Sequence, residues 1–328
     1  MNIDPARAAT GTGVRTGTGP VHVIVNPAAR SGAAAFLRGE VTRDLARRGV
    51  EAQFVETTGP GDAADIAARA AAARAPAVVA IGGDGTVHEV ANGLLRARES
   101  GGTLGTALAI VPCGTGNDFA RIVAGIVSRA QAYEALAARR VRMVDAGMVR
   151  WDGGAEYFIN GMGTGIDVDV VRHLRKDAWM PAGFIYLGAL FRALLGFRPV
   201  PLRLEADGQA FDTRVMMAAI CNGRRIGGAF HVCPESRPDD GLLDACIVEA
   251  LPWHAIPATL LAVLRGSHGR RPRVRMLRAA QFTLTVPGDA PLYVQLDGEL
   301  RETGSARTLH VSVLPGVLPV LTSAALGA

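Results

Sequence analysis

The sequence predicts two domains, an α/β domain built on a parallel sheet followed by an all-β sandwich. Three observations carry this. Over the first third, short apolar runs alternate with helix-length segments, the pattern of βαβ units whose helices cover both faces of a parallel sheet. After about Val141 the texture changes to closely spaced strand-like runs bounded by Gly, Pro or Asp, as in an antiparallel sandwich. A chain of 328 residues, 49% of them apolar, is also too long for one ordinary core and rich enough for two. The expected division is a flexible leader over 1–19, an α/β domain over 20–145 rejoined by a returning tail at 312–328, and a sandwich over 146–311 with helical insertions.

Element by element, VHVIVN (Val21–Asn26) reads as a buried strand, and Ala33–Arg48 as a helix stopped by Gly49. Glu51–Glu56 is a second strand, Asp62–Arg74 an alanine-rich helix and Ala77–Ile81 a third apolar strand. Ala107–Val111 reads as a strand and Arg129–Arg139 as a helix. Beyond Val141, MVDAGMV, EYFING, LRLEAD, RVMMAAICNG, LLDACIVEA, RVRML, QFTLTV, LYVQLDGE and LHVSVL read as strands. Helical insertions interrupt them near Val168–Leu195 and Trp253–Gly266. Thr10–Pro20 is rich in Gly and Thr without an apolar signal core, so it reads as a floppy leader.

Composition removes several function classes. Lys176 is the single lysine, which confines any phosphate-loop or Schiff-base lysine to one position. A net charge of +5 is too modest for a dedicated nucleic-acid binder. Cys113, Cys221, Cys233 and Cys246 form no CxxC pair, which argues against zinc and disulfides and suits a reducing cytosol. The uncharged run Ala178–Phe191 ends at Arg192, short of the roughly 20 residues a membrane span needs. Thr308–Ala328 is long enough, but Pro315, Gly316 and Pro319 break it and LHVSVL alternates, so a buried strand is expected there.

Three glycine-bearing turns follow predicted strands. Gly82-Gly83-Asp84-Gly85-Thr86-Val87-His88 sits between an apolar strand and a helix, where glycines let backbone amides face phosphate oxygens and Thr86 adds a hydroxyl. It is neither GxGxxG nor GxxxxGK[ST]. Pro112-Cys113-Gly114-Thr115-Gly116-Asn117-Asp118 is a second such turn, with Asn117 or Asp118 placed to cap a short helix. Asn26-Pro27-Ala28-Ala29-Arg30-Ser31-Gly32 is a third. Three turns converging on one sheet edge describe a nucleotide site.

NPAARSG, GGDGTVHEV and PCGTGNDFAR, in this order, resemble the catalytic domain of the diacylglycerol kinase and sphingosine kinase superfamily, above all its bacterial soluble lipid kinases. FINGMGTGID, PDDGLLD and Asp297-Gly298-Glu299 extend the resemblance over roughly residues 20 to 315. It implies a nucleotide domain like that of NAD kinases and a β-sandwich second domain. It also implies ATP contacts from Asn26, Pro27, Arg30, Ser31, Gly32, Thr57, Gly82 to His88, Gly114, Thr115 and Asn117, although many relatives have glycine where Arg30 stands. Asp297 or Glu299 would take a proton from a lipid hydroxyl, with Asp84 as a rival; alone, DGE is an ordinary hairpin turn. The resemblance further implies an Mg²⁺ site using the Asp240 carboxylate with carbonyls near Arg237 and Leu242, beside an Mg²⁺ carried by ATP.

The expected partners are ATP and a lipid, most simply diacylglycerol, at the surface of a membrane, with no nucleic acid. The expected location is cytoplasmic, with peripheral contact at the inner face of the membrane and a homodimer both admitted. The apolar segments 179–191 and 253–264, each followed by arginines, could dock on a bilayer or simply cover the sandwich core. Competing readings are a kinase for another lipid, an NAD kinase, and a non-catalytic nucleotide or lipid sensor.

Overall fold

The computed structural model describes residues 19–27, 33–101, 105–114, 116–176, 182–288 and 292–323. The α/β half runs β1 (Val21–Val25), α1 (Ala33–Arg47), β2 (Ala52–Glu56), α2 (Asp62–Ala72), β3 (Ala77–Gly82), α3 (Asp84–Glu99), β4 (Ala107–Pro112), α4 (Asp118–Ile122) and α5 (Arg129–Ala138). The strands pair in parallel in the order β2-β1-β3-β4. β3 is buried along its whole length, as a strand covered on both faces must be. α2 owes its alanines to close packing: Gly93 of α3 lies so near it that a Cβ there would sit 2.1 Å from the Ala64 carbonyl.

The second half follows as β5 (Val141–Trp151), β6 (Gly154–Phe158), β7 (Gly161–Gly165), α6 (Ile166–Lys176), α7 (Ala182–Gly196), β8 (Val200–Ala206), β9 (Gln209–Cys221) and β10 (Leu243–Glu249). α8 (Ile256–Leu264), β11 (Val274–Ala279), β12 (Gln281–Thr285), β13 (Val294–Leu296), β14 (Glu299–Arg301) and β15 (Thr308–Leu321) complete it, with short 3₁₀ turns at Trp253–Ala255 and His268–Arg270. Its strands pair antiparallel around a core centred on Phe158, Met162, Leu204, Ile220, Leu284 and Leu296. The two predicted helical insertions are α6–α7 and the Trp253–Leu264 segment.

β15 joins the halves. It pairs antiparallel with β12 and, along its length, with β5, and then parallel with β4 at Val320↔Leu108. One hydrogen-bonded path therefore runs from β14 through β15 to β2. Pro315, Gly316 and Pro319 do not end the strand. A register shift between Leu314 and Leu318 absorbs Pro315 and Gly316, the latter with a left-handed φ of 55°, and Pro319 pairs with Met143 beyond it. Asp145 of β5 holds this bulge: its Oδ1 accepts from the Gly316 amide and its Oδ2 from the Gly241 amide, both at 2.7 Å.

Gly147 of β5 faces Phe158 of β6, whose ring covers it so closely that a Cβ would fall 2.0 Å from the ring edge. Phe158 is fully buried and immediately precedes the turn used below. Gly147→Val is expected to displace the ring and destabilise the fold by about 1–3 kcal/mol, read as a lower urea midpoint at unchanged m.

Candidate active site

The C-terminal ends of β1, β3 and β4 bring their three turns together. Gly83 occupies the N-cap of α3. Asn26 donates to the Thr86 hydroxyl at 3.2 Å, tying the turn after β1 to the turn after β3. The glycines turn out to serve packing as much as phosphate access. A Cβ on Gly82 would meet Thr86 Oγ1 at 2.3 Å, one on Gly114 would meet the Gly83 Cα at 2.6 Å, and one on Gly116 would meet Asp84 Oδ2 at 2.7 Å. The Gly82–Gly85 turn and the Gly114–Asn117 turn thus lie backbone to backbone. Asn117 adopts a left-handed φ of 52° and closes its own turn, accepting from the Gly114 amide and donating to the Gly114 carbonyl; it makes no side-chain cap to α4. Its amide donates to Asp84 Oδ2 at 2.9 Å.

Asp84 is largely buried there, and burial with the neighbouring Asp118 charge pushes its pKa up to about 6. Asp118 is raised too, chiefly by burial, and accepts from the Gly228 amide across the cleft at 2.8 Å.

From the other domain comes the β13–β14 turn. Asp297 has a left-handed φ of 50° and a side chain only 4% exposed. Its Oδ1 accepts from the Asn160 and Gly161 amides at 2.8 and 2.9 Å; its Oδ2 accepts from the Ile159 amide at 2.9 Å and from His88 Nδ1 at 2.8 Å. Glu299 lies nearer the glycine turn, its Oε1 2.8 Å from where a Gly85 Cβ would stand. Gly298 donates to Gln295 Oε1, and Gln295 Nε2 donates to the buried Asp167, both at 2.7 Å.

Of the residues predicted from sequence, Asn26, Gly82–Gly85, Thr86, Gly114, Asn117, Asp297 and Glu299 converge on this cleft. Thr57 stands just past β2 on the same sheet edge, its amide on the Val25 carbonyl. Arg30, Ser31, Gly32 and Thr115 lie outside the described residues, as do the leader up to residue 18 and Trp179. His88 departs from expectation: it is completely buried, with Nδ1 on Asp297 and Nε2 on Glu156 at 2.9 Å, so it presents no surface to a nucleotide. Val87 is likewise interior. Glu156, Arg301 and Gln295 were not singled out by sequence reasoning; each is a lone polar residue in a strand. Asp167 closes the FINGMGTGID motif but was given no role.

The loop expected to hold Mg²⁺ is closed differently. Asp240 Oδ2 accepts from Arg278, and Asp240 Oδ1 accepts from the Leu242 amide at 3.1 Å. Its carboxylate is therefore neutralised by a guanidinium, Arg237 is exposed, and among the described residues no three His, Cys, Asp or Glu side chains converge as a metal site. The donor set does not fit a cation there.

Two families match the chain: "Diacylglycerol kinase catalytic domain" over residues 20–149 and "YegS C-terminal NAD kinase beta sandwich-like domain" over residues 160–322. A protein of Xanthomonas axonopodis pv. citri named "Probable lipid kinase YegS-like" is 31% identical over 86% of this chain and 93% of its own. The chain belongs to the YegS-like lipid kinase family. Another member, from Pseudomonas aeruginosa, is 34% identical over 88% of both chains. A crystal structure from Bacillus anthracis str. Sterne shares the fold with a TM-score of 0.74 at 23% identity, over 94% of this chain and 98% of that one. Another, named a diacylglycerol kinase of the same strain, gives 0.68 at 22% identity over 93% and 97%. This YegS-like chain is accordingly an enzyme, a kinase.

The two acids should respond oppositely to neutralisation. Asp84 is ionised in the fold only above about pH 6, against 3.8 for an ordinary aspartate, so its burial costs stability at neutral pH and that cost fades as pH falls toward 4. Asp84→Asn should therefore be more stable than wild type at pH 7–8 by up to about 3 kcal/mol, with the gain vanishing near pH 4 in thermal melts. Asp297→Asn puts an NH₂ group against two donors whichever way it turns, and should lose about 3–5 kcal/mol.

Proposed function

We propose that this kinase transfers the γ-phosphate of ATP to the hydroxyl of a membrane lipid, with diacylglycerol as acceptor and phosphatidic acid as product. The observation that carries the lipid is an apolar cavity in the second domain, between α6, α7, β9, β10 and α8, of about 780 Å³ with its open mouth included. Val170, Leu194, Met216, Val248, Leu260 and Val263 line it, and among the described residues Asp167 is the one acidic residue on its wall. Asp167 is linked through the Gln295 side chain to the Gly298 amide of the DGE turn, so the cavity wall and that turn share one hydrogen-bonded chain.

The roof of that cavity suits a bilayer. Phe191 and Leu195 of α7, Trp253, and Leu261 and Leu264 of α8 are exposed on the same elements whose other faces line the cavity, with Arg198, Arg265 and Arg270 exposed nearby. Among the described residues no helix is long and apolar enough to cross a membrane. Contact with lipid is therefore read as peripheral.

ATP lies across the turns at Asn26–Pro27, Gly82–Gly85 and Gly114–Asn117, where amides at strand ends meet phosphate oxygens. Mg²⁺ bound to the nucleotide would supply charge screening of the transferring phosphate. Glu299 is the carboxylate proposed to take the acceptor's proton: it overlies Gly85, whereas all the acceptor directions of Asp297 are filled by four donors. Asp297 holds the turn.

The test is a panel of mixed micelles of diacylglycerol, sphingosine and monoacylglycerol with radiolabelled ATP. Label in diacylglycerol is expected; label in NAD alone would end the lipid reading, and label in sphingosine alone would replace the acceptor. Glu299→Gln should lose turnover while binding ATP and melting as wild type does. Leu194→Trp, which fills the cavity, should raise the lipid KM at least about tenfold and leave the ATP KM unchanged.

A further inference from the structure

His88 sits in the first turns of α3, in the nucleotide domain, yet its ring is held by carboxylates of the other domain. Nδ1 meets Asp297 Oδ2 at 2.8 Å and Nε2 meets Glu156 Oε1 at 2.9 Å. A neutral imidazole has one N–H and can satisfy only one of them; the other contact would set a lone pair against a carboxylate oxygen unless that acid carried a proton. Neither acid has room for one. Asp297 already accepts three backbone amides, and Glu156 accepts from Arg301 Nε and Nη2 at 2.5 and 2.6 Å.

Two further groups stand at the Nε2 edge, Asn92 Nδ2 and Arg301 Nη2, each 3.4 Å away. Asn92, one turn further along α3, donates to the His88 and Tyr157 carbonyls at 3.0 Å, and its Oδ1 accepts from the Tyr157 amide at 3.1 Å, so its hydrogens are committed elsewhere. Arg301 Nη2 stands 3.4 Å from Nε2 as a cation opposed to a second cation. Two carboxylates outweigh it, and the four groups sum to zero only when His88 is charged. Burial alone would lower the pKa of His88, yet bonding to Asp297 and Glu156 drives it up to about 9. Glu156 correspondingly falls to about 2, against its own burial, through His88 and Arg301.

We infer that His88, held as an imidazolium between Asp297 and Glu156, is a positioning residue that fixes the turn bearing Glu299 above the Gly83–Gly85 turn without touching nucleotide or lipid. The geometry gives it this leverage. α3 carries the glycine turn at its start and the clamp less than two turns later, so one rigid helix sets the separation between the phosphate site and the DGE turn. The inference rests on the kinase reading of the cleft.

The kinetic arm compares His88→Asn, which keeps one neutral donor for Asp297, with His88→Phe, which keeps none, and with Glu156→Gln. The kcat of His88→Phe should fall about 30- to 100-fold, with the ATP KM within about threefold of wild type, and His88→Asn should recover part of the loss. Glu156→Gln should lower kcat by a smaller factor, again at unchanged ATP KM. A raised ATP KM at wild-type kcat in His88→Asn would make His88 a nucleotide contact and overturn the inference; so would wild-type kcat in all three variants. Should His88→Phe not fold, the other two variants decide the kinetic arm.

A spectroscopic arm needs no substrate. ¹⁵N spectra of the imidazole side chain in the wild-type chain at pH 7.5 should show both His88 nitrogens protonated, with no change down to pH 6. One pyridine-like nitrogen would overturn the inference. If no lipid in the panel accepts phosphate, the proposed acceptor fails while these spectra still decide the state of His88.

Discussion

A carboxylate taken out of water has to be answered by donors, and Asp297 is answered from two places at once. Its partners are His88 on a helix of the α/β domain and the amides of Ile159, Asn160 and Gly161 at the join of β6 and β7, to which its own amide is tied by donating to the Gly161 carbonyl at 2.8 Å. Leaving such a charge without partners costs several kcal/mol, so these segments cannot drift apart independently. The strained φ of Asp297 is the local cost of aiming its side chain back into that ring of donors. Neighbouring polar groups continue the pattern: Asn160 Nδ2 donates to the Arg225 carbonyl, and Asn222 Nδ2 donates to the carbonyls of Asp145 and Ile159. The cleft between the domains is thereby given a fixed floor on one side.

β15 gives the same relation at the level of the backbone. Because it pairs with β12, β5 and β4 in succession, the last described strand of the chain welds the sheet of one domain to that of the other. The bulge at Gly316 is where the strand changes partners, and Asp145 joins that bulge to Gly241 in the loop that Arg278 closes from the other side. Arg278 and Asp240 supply within the chain the charge balance that a bound cation would otherwise bring. The shared sheet and the Asp297 ring act on different length scales. The first sets how the domains lie, and the second sets where one turn lies over another.

How much of this was legible in the sequence follows from the range of the interactions. The alternation of apolar strands and helices depends on neighbours a few residues apart, so the order and nearly the ends of β1 through α5 could be read directly. The glycine turns were legible as a site because their residues stand together, although their packing against one another was not: Gly114 needs to be glycine on account of Gly83, 31 positions away. Glu156 and Arg301 were illegible for the same reason, being 145 residues apart and joined only by the fold. His88 was read with its motif and assigned to the nucleotide, since nothing local reveals that two acids from another domain close over it. The prolines of β15 were read correctly as incompatible with a membrane helix, but a bulge braced by Asp145 is a tertiary fact.

The distribution of charge separates the parts that hold from the parts that react. Asp297 and Glu156 are buried with cations or amides aimed at every oxygen, and that cluster is neutral as a whole. Asp84 lies largely covered within the glycine turns, but no cation is among the groups that set its titration; burial, Asp118 and Asp297 all push its pKa upward, with only backbone amides opposing them. The same chain therefore satisfies one acid fully and leaves another under electrostatic load, within a single stretch of α3 and its facing turn. The amides of Asn117 and Asp118 relieve part of this load, and whatever brings positive charge or a proton to the glycine turns relieves the rest. Stability is thus concentrated where the domains are clamped and withheld where the phosphates are to be handled, the division expected of a site whose chemistry is completed by its substrates.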